Sequence, residues 1–217
     1  GLFNLGGEGQ LLLGAVGAFV VADRLAGAVP AVATLGLMVL GGAVAGALWA
    51  AIPALLKVFT RTNEAMSSLL LNYIAGLVIT WLCFEPWKDP MSLGQAYSRE
   101  LEGVERFPVI WGNRVHAGIF VAVVAALVLW AVLRYSTWGF TLRVLGGNPA
   151  AAHRAGLAVG GLSIAAMVVG GAMAGLGGMI EVAGTEGRLR PGLLAGVGFI
   201  GFLASWLAKH DPLKCIL

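Results

Sequence analysis

Three histidines, two cysteines and eleven carboxylates are the residues with the means to hold a metal or relay a proton. Their spacing does not support that chemistry. His116, His153 and His210 stand far apart, each near the end of an apolar run. No HExxH, CxxC or paired-carboxylate arrangement appears, and no local Ser-His-Asp pattern can be assembled. Cys83 lies inside an apolar run and Cys215 near the end, so neither a zinc site nor a disulfide framework is expected. The stretch GVGFIG, residues 196–201, fits G-x-G-x-x-G, but it is embedded in apolar sequence and Asp211 follows too early for a dinucleotide fold. The four lysines follow Leu56, Trp87, Ala208 and Leu213, so no Gly-Lys of a phosphate-binding loop exists on this chain.

The polar residues that remain stand at or within apolar segments. Asn4, Glu8 and Gln10 lie among glycines in GLFNLGGEGQ, at the mouth of an apolar run. Glycine frees the backbone from regular helix, and polar groups in lipid then need water or a partner. A second Gly-rich piece, GTEGRLRPGLLAGVGFIGF, repeats the order of Glu-Gly followed by a Gly-broken apolar run. Paired Gly-interrupted segments in two halves point to a central transport path. Asn72 stands about two turns into a third apolar run, where its amide either bonds between helices or touches a solute.

The elements that would position these residues are membrane helices. Of 217 residues, 59% are hydrophobic and 12% charged, about half the charge of a soluble domain. The formal charge of +3 comes without a basic stripe interleaved with aromatics, so no nucleic-acid partner is expected. Residues 9–22, 25–56, 65–84, 115–133, 155–180 and 191–208 carry no charge. A span needs about 20 apolar residues, so an all-α, polytopic transmembrane bundle of about six spans is predicted. Its second helix is placed near 34–52, between Pro30 and Pro53, and its first is short or broken. Gly42/Gly46, Gly171/Gly175 and Gly192/Gly196 are read as close helix contacts within the chain. Lys and Arg divide evenly between the two sides, Arg114 of the long 86–114 loop included, so charge does not set the orientation.

Between two of these runs lies GGNPAAAHRAGLAVGG, residues 146–161. Asn148 suits an N-cap, Pro149 the first turn and Gly156 the C-terminal stop. A helix from Pro149 to Ala155 is roughly 10 Å long, far too short to span.

FNLGGEGQ, TNEAMSSLLLNYIA and GGNPAAAHRAGL followed by GGAMAGLGGMIEVAG resemble the permease subunits of ABC importers for nucleosides and simple sugars, with branched-chain amino acid permeases as more distant relatives. The resemblance runs along nearly the whole chain. It implies a transport subunit, not an enzyme, in the bacterial inner membrane, with a path for a nucleoside or simple sugar near Asn4, Glu8, Gln10 and Asn72. The short helix would be a cytoplasmic coupling helix, with Arg143, Asn148, Pro149, Ala150, Ala151, Ala152, His153, Arg154 and Gly156 at the contact. Implied partners are cytoplasmic ABC ATPase subunits, a second permease subunit, an extracytoplasmic substrate-binding lipoprotein and membrane lipid. This chain itself would bind no cofactor, ATP being held by the ATPase. Family members are longer, so 1–217 is read as one transmembrane permease domain lacking N- and C-terminal spans. The alternatives are a permease for another small solute, such as a branched-chain amino acid, or an ion-coupled transporter. The latter usually carries ionisable residues within its spans, and these spans are nearly charge-free.

Overall fold

The structure, a computed structural model, describes residues 3–25, 29–112 and 115–215. Gly1 and Leu2 of the first motif, and Arg114 of the long loop, lie outside the described residues. The chain forms eight α-helices there: α1 Gly7–Leu25, α2 Ala31–Thr60, α3 Glu64–Phe84, α4 Gly118–Tyr135, α5 Thr137–Gly147, α6 Pro149–Arg154, α7 Val159–Glu181 and α8 Val197–Leu207. A π-helical turn, Val182–Glu186, continues α7, and β1 Val109–Trp111 of the long loop pairs antiparallel with β2 Val115–His116. The all-α membrane bundle is as expected.

The span count is corrected. Four helical segments are long and apolar enough to cross a membrane among the described residues: Val32–Thr60, Glu64–Phe84, Gly118–Tyr135 and Val159–Glu186. The 9–22 block is no half-length piece. It extends into the 19-residue α1, with Glu8 in the first turn and Arg24 in the last, each sign matching the helix dipole. The half-length element lies at the other end of the chain. Residues 191–196 form a turn rather than a span, with positive φ at Gly192, Leu194 and Gly196. Only 11 residues then remain for α8, roughly 16 Å of helix. Gly192 and Gly196 are therefore turn residues, not a helix-packing pair. Helix α2 also exceeds its expected bounds, because it runs through Pro53 to Thr60, where Arg61 in the left-handed region stops it.

Helices α1, α2 and α7 form the centre. Their contact is made by glycine on backbone. A methyl added at Gly46 would lie 2.3 Å from the Gly171 carbonyl, and one at Gly175 2.2 Å from the Gly42 carbonyl. In lipid, association rests on such close packing rather than on apolar burial. Phe19, Met38, Ile79 and Met179 are among the buried side chains of the core.

The long loop is bound to the turn after α7. Ser98 exchanges bonds with Leu189, its N–H donating to the carbonyl at 3.0 Å and its hydroxyl accepting from Leu189 N–H at 2.9 Å. Leu101 N–H donates to Gly187 and Phe107 N–H to Ala183. Arg99 forks onto Glu105 at 2.8 and 2.9 Å and reaches Asp23 at the end of α1 at 2.9 Å. Hydrogen bonds from Arg99 to Glu105 raise the guanidinium pKa above its ordinary value, against the opposing pull of burial.

Candidate substrate path and coupling helix

Residues 3–6 are non-helical backbone lying against α3. Asn72 sits eight residues into α3, roughly 12 Å along its axis. Its Nδ2 donates to the Leu5 carbonyl at 2.8 Å, and its Oδ1 accepts from Gly9 N–H at 2.8 Å. Leu5 N–H donates to Ser68 Oγ at 3.2 Å. Irregular backbone at membrane depth survives only when its polar groups find such partners. The Asn72 amide thus works as a strut between α3 and the entry to α1. Asn4 and Gln10 form a reciprocal amide pair, at 3.0 and 2.9 Å, and Asn4 Oδ1 also accepts from Gly6 N–H. Gln10 is 1% exposed.

Glu8 joins the two Gly-rich segments. Its Oε1 accepts from Gly196 N–H at 2.8 Å, at the N-cap of α8. The approach is close enough that a methyl on Gly198 would lie 2.3 Å from Glu8 N. Two helix N-termini therefore meet at one carboxylate, and both dipoles favour its charge. The sequence paired these segments by composition, and the fold brings them into contact. Glu8 Oε2 and Trp49 Nε1 are buried side-chain atoms without a protein partner among the described residues. Trp49 was missed by the sequence reading, because an indole in an apolar run carries no signal of where its N–H points. It stands against Gly9, where an added methyl would lie 2.9 Å from Nε1.

Two cavities flank this junction. One, of about 390 Å³, is lined by Glu8, Asn72, Tyr73, Thr80 and Gly192. The other, of about 300 Å³, is lined by Asn4, Gln10, Gly170, Gly198 and Phe202. Both fall within the size range of small-molecule sites, with apolar walls and few polar groups. All four residues read from sequence as a path line one or the other.

The short helix α6 is Pro149–Arg154, one residue shorter than expected. Asn148 caps it, Oδ1 accepting from Ala151 N–H at 3.0 Å. Gly156 takes φ +77°, and its N–H donates to the His153 carbonyl, closing the helix. Ala152 is fully buried, while Ala150, Ala151, His153 and Arg154 are exposed. Helix α5 precedes it. Ser136 caps α5 by accepting from Gly139 N–H at 3.0 Å, and this Ser-Thr start was the available signal. Arg143 on α5 is exposed and donates to the Leu133 carbonyl.

The family described as branched-chain amino acid transport system / permease component matches residues 1–214. A glucose ABC transporter permease protein of Haloferax volcanii is 37% identical over all of this chain and 59% of its own length. A guanosine ABC transporter permease protein of Bacillus subtilis is 34% identical, over all of this chain and 63% of its own. A nucleoside ABC transporter permease protein of Lactococcus lactis is 26% identical, over 98% of this chain and 61% of its own. The chain thus spans about three fifths of the length of these relatives. No solved structure matches it.

Proposed function

Because the chain belongs to the family of branched-chain amino acid transport system / permease components, we propose that it is the membrane path of an ABC importer for a nucleoside or a simple sugar. It is a multi-pass membrane protein and a transport component rather than an enzyme. The observation that carries the reading is the junction of Glu8 with Gly196, where a half-length helix starts beside the irregular entry to α1. Broken helices whose N-termini meet polar groups inside the membrane are the hallmark of a central transport site. The amides of Asn4, Gln10 and Asn72 and the carboxyl of Glu8 line the two cavities that flank the junction, which suits a hydroxyl-rich, uncharged solute.

Helix α6 is the coupling element in this reading. It is too short to span, capped at both ends, anchored by Ala152 and open on the face of Ala150, Ala151, His153 and Arg154, with Arg143 on the preceding helix. Two cytoplasmic ABC ATPase subunits would seat such helices from two permease subunits and supply the ATP chemistry. An extracytoplasmic binding lipoprotein would deliver solute at the long-loop end, and the membrane would be a bacterial inner membrane. The test is uptake of labelled nucleosides and pentoses by vesicles holding the complete complex. ATP-dependent accumulation of either class supports the reading, and uptake driven by an ion gradient without the ATPase overturns it.

A further inference from the structure

The end of the molecule that carries α5 and α6 holds a basic pocket, of which the transport reading uses only Arg143. It has a volume of about 410 Å³ and is lined by Trp130, Arg134, Arg143, Lys209, His210 and Asp211. Three cations converge there from separate elements: the last turn of α4, the middle of α5 and the turn after α8. None of the three forms an ion pair among the described residues. Asp211 is turned into its own loop, accepting from Leu213 N–H at 3.0 Å. Lys209 and His210 both take positive φ, 52° and 58°, and this tight turn brings the chain back beneath α8. Arg134 lies 5.6 Å over the Trp130 ring and 5.9 Å over that of Tyr135. Aromatic and basic residues together in the last turn of a span place this level at the membrane–water interface.

An apolar groove adjoins the pocket. It measures about 350 Å³, shares the walls Leu133, His210 and Pro212, and runs between α4 and α7 past Ala122, Ala126, Leu129, Met173 and Leu176. From Leu133 back to Ala122 it follows α4 for roughly 16 Å, the depth of one leaflet of a hydrocarbon core about 30 Å thick. Charge at the interface and a leaflet-deep apolar groove together match the two parts of one molecule. We propose that the pocket and groove hold one anionic phospholipid, its phosphate among Arg134, Arg143 and Lys209 and an acyl chain along α4 and α7. Basic pockets between helices at the membrane surface favour such headgroups.

The experiment is native mass spectrometry of the full-length permease in its complete complex, titrated with phosphatidylglycerol or phosphatidylcholine. The expected result is one tightly held phosphatidylglycerol per permease and no comparable phosphatidylcholine. The double variant Arg134→Gln, Lys209→Gln should weaken phosphatidylglycerol about 25-fold, roughly fivefold for each charge removed. Both side chains are exposed and outside any ion pair among the described residues, so folding is retained. Ala122→Phe, at an exposed groove position, should also lower the retained phosphatidylglycerol. Equal retention of the two lipids, or indifference to the double variant, would overturn the proposal. Displacement of phosphatidylglycerol by millimolar inorganic phosphate would also overturn it, by making the pocket a site for free anions. Transport competence is not read in this assay, so its failure and that of the importer reading stay separate.

Discussion

Glu8 and Gly196, 188 residues apart in sequence, meet through a 2.8 Å hydrogen bond from the Gly196 N–H to the Glu8 carboxylate. The bond is part-buried and ties the first turn of α1 to the start of α8. Replacing Glu8 with alanine leaves the Gly196 N–H without its acceptor and removes the charge that both helix dipoles favour. Uptake by the complete transporter should fall at least tenfold in Glu8→Ala. Glu8→Gln keeps an acceptor oxygen and should retain more activity. Equal, undiminished uptake in both variants, at matched expression, would show that the junction is only scaffold.

The glycine contacts at the centre predict where a single methyl group is costly. At Gly175 it would fall 2.2 Å from the Gly42 carbonyl and 3.0 Å from Gly46 Cα, both backbone atoms that cannot rotate away. Overpacking of this kind costs about 1–3 kcal/mol or more. Gly76 has open space where its Cβ would be. Thermal unfolding in detergent should therefore drop by several degrees for Gly175→Ala and hold for Gly76→Ala. Matching midpoints for the two variants would mean that α2 and α7 separate without loss.

Most of this architecture could be read from charge-free runs, and the failures have definite causes. Pro53 looked like an end because proline lacks the N–H that an interior turn uses, yet α2 continues for seven residues past it. The 191–208 run was apolar enough for a span, but three positive-φ residues in its first six leave only α8 helical. Composition records hydrophobicity and not the left-handed turns that divide it. The paired Glu-Gly segments were legible as a pattern, whereas their contact through Gly198 was not, because nothing local says which backbone approaches which. Trp49 escaped notice for the same reason.

The pairing of Arg99 with Glu105 should be the strongest single fastening of the long loop. Glu105 is 3% exposed and depends on Arg99 and on the Glu102 N–H. Removing one partner of a buried pair costs about 3–5 kcal/mol. Arg99 keeps access to water, so a loss of about 2 kcal/mol is expected for Arg99→Ala. Limited proteolysis of the permease in proteoliposomes should then cut within residues 86–108 faster than in the parent. Unaltered cleavage would show that the backbone bonds to Ala183, Gly187 and Leu189 suffice.

The two ends of the bundle should face opposite compartments. Ser98 is fully buried beneath the loop and is a poor labelling site, whereas Met91 is 84% exposed. Ala150 is exposed at the start of α6. In a full-length protein with Cys83→Ala and Cys215→Ser, Met91→Cys should react with an impermeant maleimide in intact cells. Ala150→Cys should react only after lysis. The reverse pattern would invert the orientation and place α6 beyond the reach of any cytoplasmic ATPase.

Adjacent alanines on α6 separate folding from docking. Ala152 is fully buried against its own chain, while Ala151 faces outward one residue earlier. A tryptophan at position 152 must displace the helix from the permease, so Ala152→Trp should reduce the amount of folded protein in the membrane. At position 151 the same side chain meets only what docks from outside. Ala151→Trp should therefore leave insertion and thermal stability unchanged while transport-stimulated ATP hydrolysis falls at least tenfold. Asn148→Ala, which removes the cap on Ala151 N–H, should have a smaller effect on hydrolysis and lower stability by about 1 kcal/mol. The measurements are ATPase rates of the complete complex in proteoliposomes and melting of the isolated permease. Full stimulation in Ala151→Trp would remove α6 from the coupling interface, since no groove that closes on an alanine face accommodates an indole unchanged.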